Sequence, residues 1–162
     1  MRVRGFLDSD RAWTEGLLGE VLGGRWQARR GELVDVLAFE GLVAGGDSGE
    51  RVGYLSYRRE GDACEVVALA AAPRLSGVGT ALLRELQHRV RDCATVWLVT
   101  TNDNLEALRF YQRRGFRLRA LRPCAVDQAR LSLKPSIGTV GEFGIPIRDE
   151  LELEARVDGL AL

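Results

Sequence analysis

The chain has 162 residues, a length that fits one domain whose core needs neither disulfide nor metal staples. Its 23 basic residues balance 23 acidic ones, so no net field draws it to nucleic acid or to an anionic membrane. Cys64, Cys93 and Cys124 form no disulfide or zinc pattern, and no apolar N-terminal region or membrane-length apolar run is present, so the expectation is a cytoplasmic protein with reduced thiols.

In chain order, residues 3–6 predict a short strand, closed by Asp8-Ser9-Asp10, a cluster that suits a helix start. Trp13, Leu17, Leu18 and Val21 then recur at helical spacing up to Gly23-Gly24. Residues 33–44 are apolar without a clean period, and only 42–44 read as strand. Residues 52–59 and 63–70, separated by a Gly61-Asp62 turn, look like arms of antiparallel pairs. From Gly77 the period changes: Val78, Leu82, Leu83, Leu86 and Val90 line one helical face. Residues 95–100 are a buried strand by their β-branched and aromatic content. Asn102-Asp103-Asn104 offers helix caps, Leu105, Leu108 and Tyr111 continue as a helix, and Gly115 ends it. Residues 116–121 alternate into a strand. Residues 125–133 predict a short helix that stops before Pro135, 136–146 a loop, and 150–157 a strand with one face in water. This order of elements gives a mixed sheet with crossover helices, an α/β (α+β) fold.

Two segments carry chemistry. Arg74-Leu75-Ser76-Gly77-Val78-Gly79-Thr80 lies between a strand and a helix, where unpaired N–H groups and the helix dipole favour a phosphate and glycines let the main chain close on it. The bland alternative is a tight turn. Leu82 stands where a dinucleotide-binding loop has its third glycine, and the P-loop lysine is absent. The second segment runs from Asn104 to Phe116. Tyr111 lies seven residues past Asn104, so both project from nearly the same helical face. Taken singly, Tyr111 reads first as a core aromatic beside Phe110 and Phe116, and Asn104 as a helix cap.

Together the two segments resemble the GNAT superfamily of N-acetyltransferases. The family's acyl-CoA signature, Gln/Arg-x-x-Gly-x-Gly/Ala opening a helix, is met by Arg74, Gly77 and Gly79. Its second element, Asn with Ala three, Tyr seven and Gly-Phe eleven and twelve residues on, is met by Asn104, Ala107, Tyr111, Gly115 and Phe116. The resemblance runs from about residue 52 to 121; beyond it, 123–146 is an unusually long connection before the last strand. It implies one domain over 1–162, with a mostly antiparallel sheet of six to seven strands flanked by helices. A V would open between the strands at 63–70 and 95–101.

The same resemblance implies transfer of an acetyl group from acetyl-CoA, with no metal, to a primary amine that attacks directly in a ternary complex. Main-chain groups at Leu69 and Ala70 would hold pantetheine and polarise the thioester carbonyl. Arg74, Leu75, Ser76, Gly77, Val78, Gly79 and Thr80 would hold the pyrophosphate, Asn104 would contact the cofactor, and Tyr111 would protonate the leaving thiolate. Glu65 is the first candidate base, because it lies on the cofactor strand and by period two shares Leu69's face; the bland alternative is an ion-paired strand carboxylate. Glu40 and Asp35 are runners-up, His88 sits on the wet face of its helix, and a water chain is a further route for the proton. Asn102 points at the substrate side or caps a helix. Trp26 with Arg25, Arg29 and Arg30 lines an entrance or forms a surface patch.

The acceptor is a small-molecule or peptide amine. The 123–146 connection is expected to shape its pocket, to cover a sheet edge or to build a dimer contact; small proteins of this family are often dimers, which leaves a homodimer open. On the pocket reading, replacing residues 136–144 alters acceptor activity and spares cofactor binding. The rival reading is a catalytically inactive CoA-binding sensor or partner module. A nucleotide-binding regulator is disfavoured by the missing glycine and lysine.

Overall fold

The computed structural model describes residues 1–72 and 77–162, so the predicted cofactor contacts of Arg74, Leu75 and Ser76 lie outside the described residues. The elements are β1 (Arg2–Gly5), α1 (Arg11–Leu22), β2 (Trp26–Arg29), β3 (Glu32–Asp35), β4 (Glu40–Gly45), β5 (Arg51–Glu60) and β6 (Ala63–Ala71). They continue with α2 (Val78–Arg89), β7 (Thr95–Thr101), α3 (Leu105–Gln112), β8 (Arg117–Arg122), α4 (Ala125–Ser132) and β9 (Glu150–Arg156). Among the described residues seven strands make one sheet in the order β1-β4-β5-β6-β7-β9-β8, as the resemblance implied, and only its β6–β7 pair is parallel. A parallel pair needs a crossover, which α2 supplies.

Each face of the sheet has its own core. Val78, Leu82, Leu83 and Leu86 of α2 pack with Leu42, Leu55, Val66, Val96, Leu98 and Leu153 on one face, where Tyr111 of α3 joins them. On the other, Leu17 and Leu18 of α1 pack with Val34, Val36, Val43, Tyr54, Ala68 and Ala70. The β2–β3 hairpin was not foreseen in the sequence. Its Arg30-Gly31 turn has both residues at positive φ (49° and 77°), the two-residue turn whose twist suits a hairpin.

Two irregularities position the site. Ser56 opposes Ala68 but Tyr57 opposes Val66, so Val67 is an extra residue, a β-bulge. The bulge shifts side-chain parity: Val66 packs with the α2 core, Val67, Ala68 and Ala70 with the α1 core, and Leu69 again with the α2 core. Second, β6 and β7 pair only from Ala63↔Thr95 to Val66↔Leu98. Past the bulge both strands continue unpaired with each other, through Ala71 and Thr101, and the V opens there.

Candidate functional site

The site begins where α2 does. Gly77, at φ +83°, turns the chain into the helix, and the first intrahelical bond runs from Ala81 N–H to the Gly77 carbonyl (3.0 Å). The N–H groups of Val78, Gly79 and Thr80 therefore have no acceptor within the helix, and the positive end of the dipole sits with them. A Cβ on Gly79 would stand 2.9 Å from the Phe110 ring, so only glycine lets α2 approach α3 this closely. These residues border a cleft of about 600 Å³ that reaches from Leu69 and Ala71 to Asn104, Tyr111 and three arginines, Arg109, Arg113 and Arg114.

The β6 side of the cleft is a free strand edge. Ala72 N–H bonds to the Val52 carbonyl at 3.0 Å, which makes Val52/Ala72, Tyr54/Ala70 and Ser56/Ala68 the bonded pairs of the antiparallel ladder. The main-chain groups of Leu69 and Ala71 then face away from β5 into the V, where β7 no longer pairs with them. Leu69 is thus placed as the sequence led one to expect. Ala70 is not: its main chain is occupied by Tyr54 and its methyl lies in the opposite core. Ala71, not Ala70, is the neighbour whose main chain faces the V.

Tyr111 lines the cleft with its ring held edge-on between Phe110 (5.0 Å between centroids) and Phe116 (5.2 Å). Burial pushes its phenol well above the ordinary value, and the charge of Arg114 opposes this. Asn104 also lines the cleft, while its side-chain oxygen caps α3 by accepting from Ala107 N–H at 3.1 Å. The helix cap is therefore observed, at a residue that also borders the cleft. The Thr80 hydroxyl accepts from Arg114 at 2.6 Å, and the same guanidinium lies 3.7 Å over the Phe110 ring, tying α2 to α3 across the cleft floor.

The bases chosen from sequence do not come to this cleft. Glu65 lies two residues before the bulge, on the face opposite to Leu69, so the period-two argument fails at Val67. It is fully buried, ion-paired with Arg29, and accepts from Arg58 Nε at 2.7 Å. Glu40 accepts from the Tyr57 hydroxyl (2.7 Å). Asp35 is hydrogen-bonded to Arg25, which chiefly holds its carboxyl below the usual range, and caps the turn at Leu37 N–H (3.0 Å). His88 is exposed and lines a separate concavity with Arg84 and Arg91.

Asn102 is also occupied. Its amide donates to the Pro146 carbonyl (2.9 Å) and accepts from the N–H groups of Arg148 and Asp149 (3.0 Å each), stapling the approach to β9. The carboxylates that do line the cleft are Glu106 and Glu142. Neither stood out in sequence, because Glu106 is one of many helix-surface acids and Glu142 belongs to a loop without periodicity. Arg130 fixes that loop through the carbonyls of Ile137 (3.0 Å), Gly138 (2.8 Å) and Ile147 (2.8 Å), and Asp103 accepts from Glu142 N–H at 3.2 Å. Among the described residues no group of three or more His, Cys, Asp or Glu is placed to hold a metal.

Residues 12–116 match the family described as acetyltransferase (GNAT) family. The uncharacterized protein YdhI of Bacillus subtilis (strain 168) is 40% identical over 121 residues, covering 74% of this chain and 75% of that one. YxbD of the same organism is 45% identical over 109 residues, covering 66% and 68%. Among solved structures, an IAA acetyltransferase from Bacillus cereus superposes with a TM-score of 0.71 at 18% identity, covering 96% of this chain and 98% of that one. A GNAT family acetyltransferase from Elizabethkingia anophelis with acetyl-CoA bound gives a TM-score of 0.72 at 17% identity, covering 96% and 97%.

Proposed function

The chain belongs to the acetyltransferase (GNAT) family, and on that premise we propose that it transfers an acetyl group from acetyl-CoA to a primary amine, the amine attacking directly within a ternary complex. The observation that carries this reading is the conjunction, in one cleft, of free helix N–H groups, a free strand edge and a buried tyrosine. The residues present fit coenzyme A. Val78, Gly79 and Thr80 N–H groups with Arg109 and Arg113 suit a pyrophosphate, and the unpaired main chain of Leu69 and Ala71 suits the amides of a pantetheine arm.

Acetyl-CoA supplies the activated acyl group as a thioester. The Leu69 N–H, fixed in a rigid strand, is the donor available to a carbonyl oxygen in the V. Tyr111 holds a proton at its hydroxyl for the departing sulfur, and its surroundings keep that proton in place at neutral pH. The amine's own proton leaves through water or through a carboxylate other than Glu40, Asp35 or Glu65. That Glu65, Asp35 and Glu40 are each already held, the first two by arginines and the third by the Tyr57 hydroxyl, favours a second reading, a module that binds coenzyme A without turnover.

Calorimetric titration with acetyl-CoA tests the common ground of both readings. Saturable one-to-one binding is expected, weakened at least about tenfold in Gly77→Val, which cannot hold the helix-opening turn at its φ of +83°. Absence of binding by a folded protein overturns both.

A further inference from the structure

The sheet face opposite to the cleft carries a charge imbalance that nothing above uses. Arg29 is 5% exposed, and its Nε and Nη1 have no hydrogen-bond partner among the described residues. Its Nη2 meets Glu65, which also accepts from Arg58 Nε at 2.7 Å; Arg58 has Glu60 at 3.1 Å as a second partner, whereas Arg29 has Glu65 alone among the described residues. Arg30 adds a third guanidinium, resting 4.9 Å from the Trp97 ring centre, with Arg29 5.7 Å from the same ring. No carboxylate among the described residues pairs with the Arg30 side chain; only its main-chain N–H is engaged, by Glu150 at 3.0 Å. Burial, reinforced by the charges of Arg58 and Arg30 and opposed by Glu32 and Glu150, lowers Arg29 to about 10. Leaving such donors unmet is costly.

Place gives the imbalance a meaning. Trp97 is opposite Glu65 in the parallel β6–β7 register, just before the strands part. Glu150 is opposite Thr101 at the far end of β7, so the Arg30-Gly31 turn spans the start of the V. Two residues past Glu65 and Trp97 on the same face, Val67 and Val99 are only half-buried although they belong to the two central strands of the V. A partly covered apolar strip in mid-sheet, bordered by unmet guanidinium donors, lies behind the gap that the cofactor cleft opens from the other side. With coenzyme A in that cleft, this face is the one left to an amine that reacts in the gap.

We infer that the acceptor carries a carboxylate beside its amine, as an amino acid does, and that Arg29 and Arg30 bind that carboxylate while Val67 and Val99 support the rest. This rests on the acetyl-transfer reading for what happens to the amine, but the carboxylate site itself can be read without turnover. A carboxylate gives two oxygens to guanidinium donors in a planar, charge-assisted arrangement.

The test uses product-like probes: N-acetyl amino acids and their matched N-acetyl amino-acid amides, titrated into protein saturated with CoA. The Trp97 indole N–H resonance is the readout, assigned with Trp97→Phe. The acids are expected to shift it and to bind at least about tenfold more tightly than the amides, the scale of one charge-assisted hydrogen bond. Arg30→Gln, on an exposed turn, should abolish that preference without changing CoA affinity. Equal binding of acids and amides, or no shift from either class across the series, overturns the inference while leaving CoA binding intact. If CoA itself fails to bind, the acetyl-transfer reading falls, and the same titration without CoA still decides whether Arg29 and Arg30 take a carboxylate.

Discussion

Tyr111 has the character its neighbours impose. Held between two phenylalanine rings and almost out of water, its phenol stays protonated far into the alkaline range. A thiol titrates near ~8.5, so full proton transfer from a phenol above 10 runs uphill by at least about 1.5 units, or roughly 2 kcal/mol. That is small beside the roughly 16 kcal/mol barrier of an enzyme turning over about ten times a second. The tyrosine therefore serves as a donor that strengthens as charge grows on sulfur, with no ionisation of its own near neutral pH. Tyr111→Phe keeps the ring and removes the proton. It should lower kcat by about 10²–10⁴-fold, with acetyl-CoA affinity changed less than about twofold, as steady-state rates and calorimetry on the same preparations would show. Unchanged kcat would reduce Tyr111 to a core aromatic and favour the non-catalytic module.

Elements were legible in the sequence where a periodic pattern was long enough to be read, and illegible where one residue changed the phase. α2 and α3 were visible from apolar spacing, and the free N–H groups at Gly77 from the glycines beside it. The β2–β3 hairpin was missed because each arm is only four residues and its charged, irregular sequence carries no alternation. Glu65 was placed on the wrong face because nothing in the local sequence marks Val67 as a bulge, and one extra residue reverses the parity of every residue before it. Asn102 was read as a substrate contact because its three partners lie more than forty residues away, in a loop with no pattern of its own. As a staple, Asn102 should be a stability residue. Asn102→Ala leaves the Arg148 and Asp149 N–H groups and the Pro146 carbonyl to water, at a cost of roughly 0.5–1.5 kcal/mol, or about 1–6 °C in thermal midpoint for a chain of this length. Hydrogen exchange at the Arg148 and Asp149 amides should accelerate in the same variant. A normal midpoint with a changed acceptor KM would instead return Asn102 to the substrate.

At the scale of the whole molecule, charge balances in number but not in how it titrates. Lys134 is the single lysine among 23 basic residues, so nearly all the positive charge is guanidinium and remains to very high pH. The buried Tyr54, Tyr57 and Cys64 are pushed up to about 12, chiefly by burial, and leave the alkaline limb flat over the working range. The acid limb belongs to carboxylates that face arginines, and Asp10 is the strongest case. It ties together β1, the turn into α1 and the start of β5: Arg4 donates to both of its oxygens (2.6 and 2.9 Å), Arg51 donates at 2.7 Å and Leu7 N–H at 2.9 Å. The Arg4 hydrogen bond first, with smaller help from Leu7 N–H and Arg51, holds the Asp10 carboxyl far below its usual range against the opposing effect of burial. An unfolded aspartate titrates near ~3.9, so between that pH and the lower folded value the unfolded chain binds more protons and stability rises with pH. The contribution is complete above about pH 4 and is lost as pH falls below it. Because Arg4 and Arg51 are more than a third exposed, solvent screening limits it to roughly 1–3 kcal/mol. Urea unfolding should therefore find Asp10→Asn less stable than the parent at pH 7 by about that amount. The two stability curves should converge between about pH 4 and 2, as the parent gives up what the variant never had. Parallel curves across that window would mean that Asp10 holds the strands by shape, through hydrogen bonds an asparagine can replace, and that its charge is incidental.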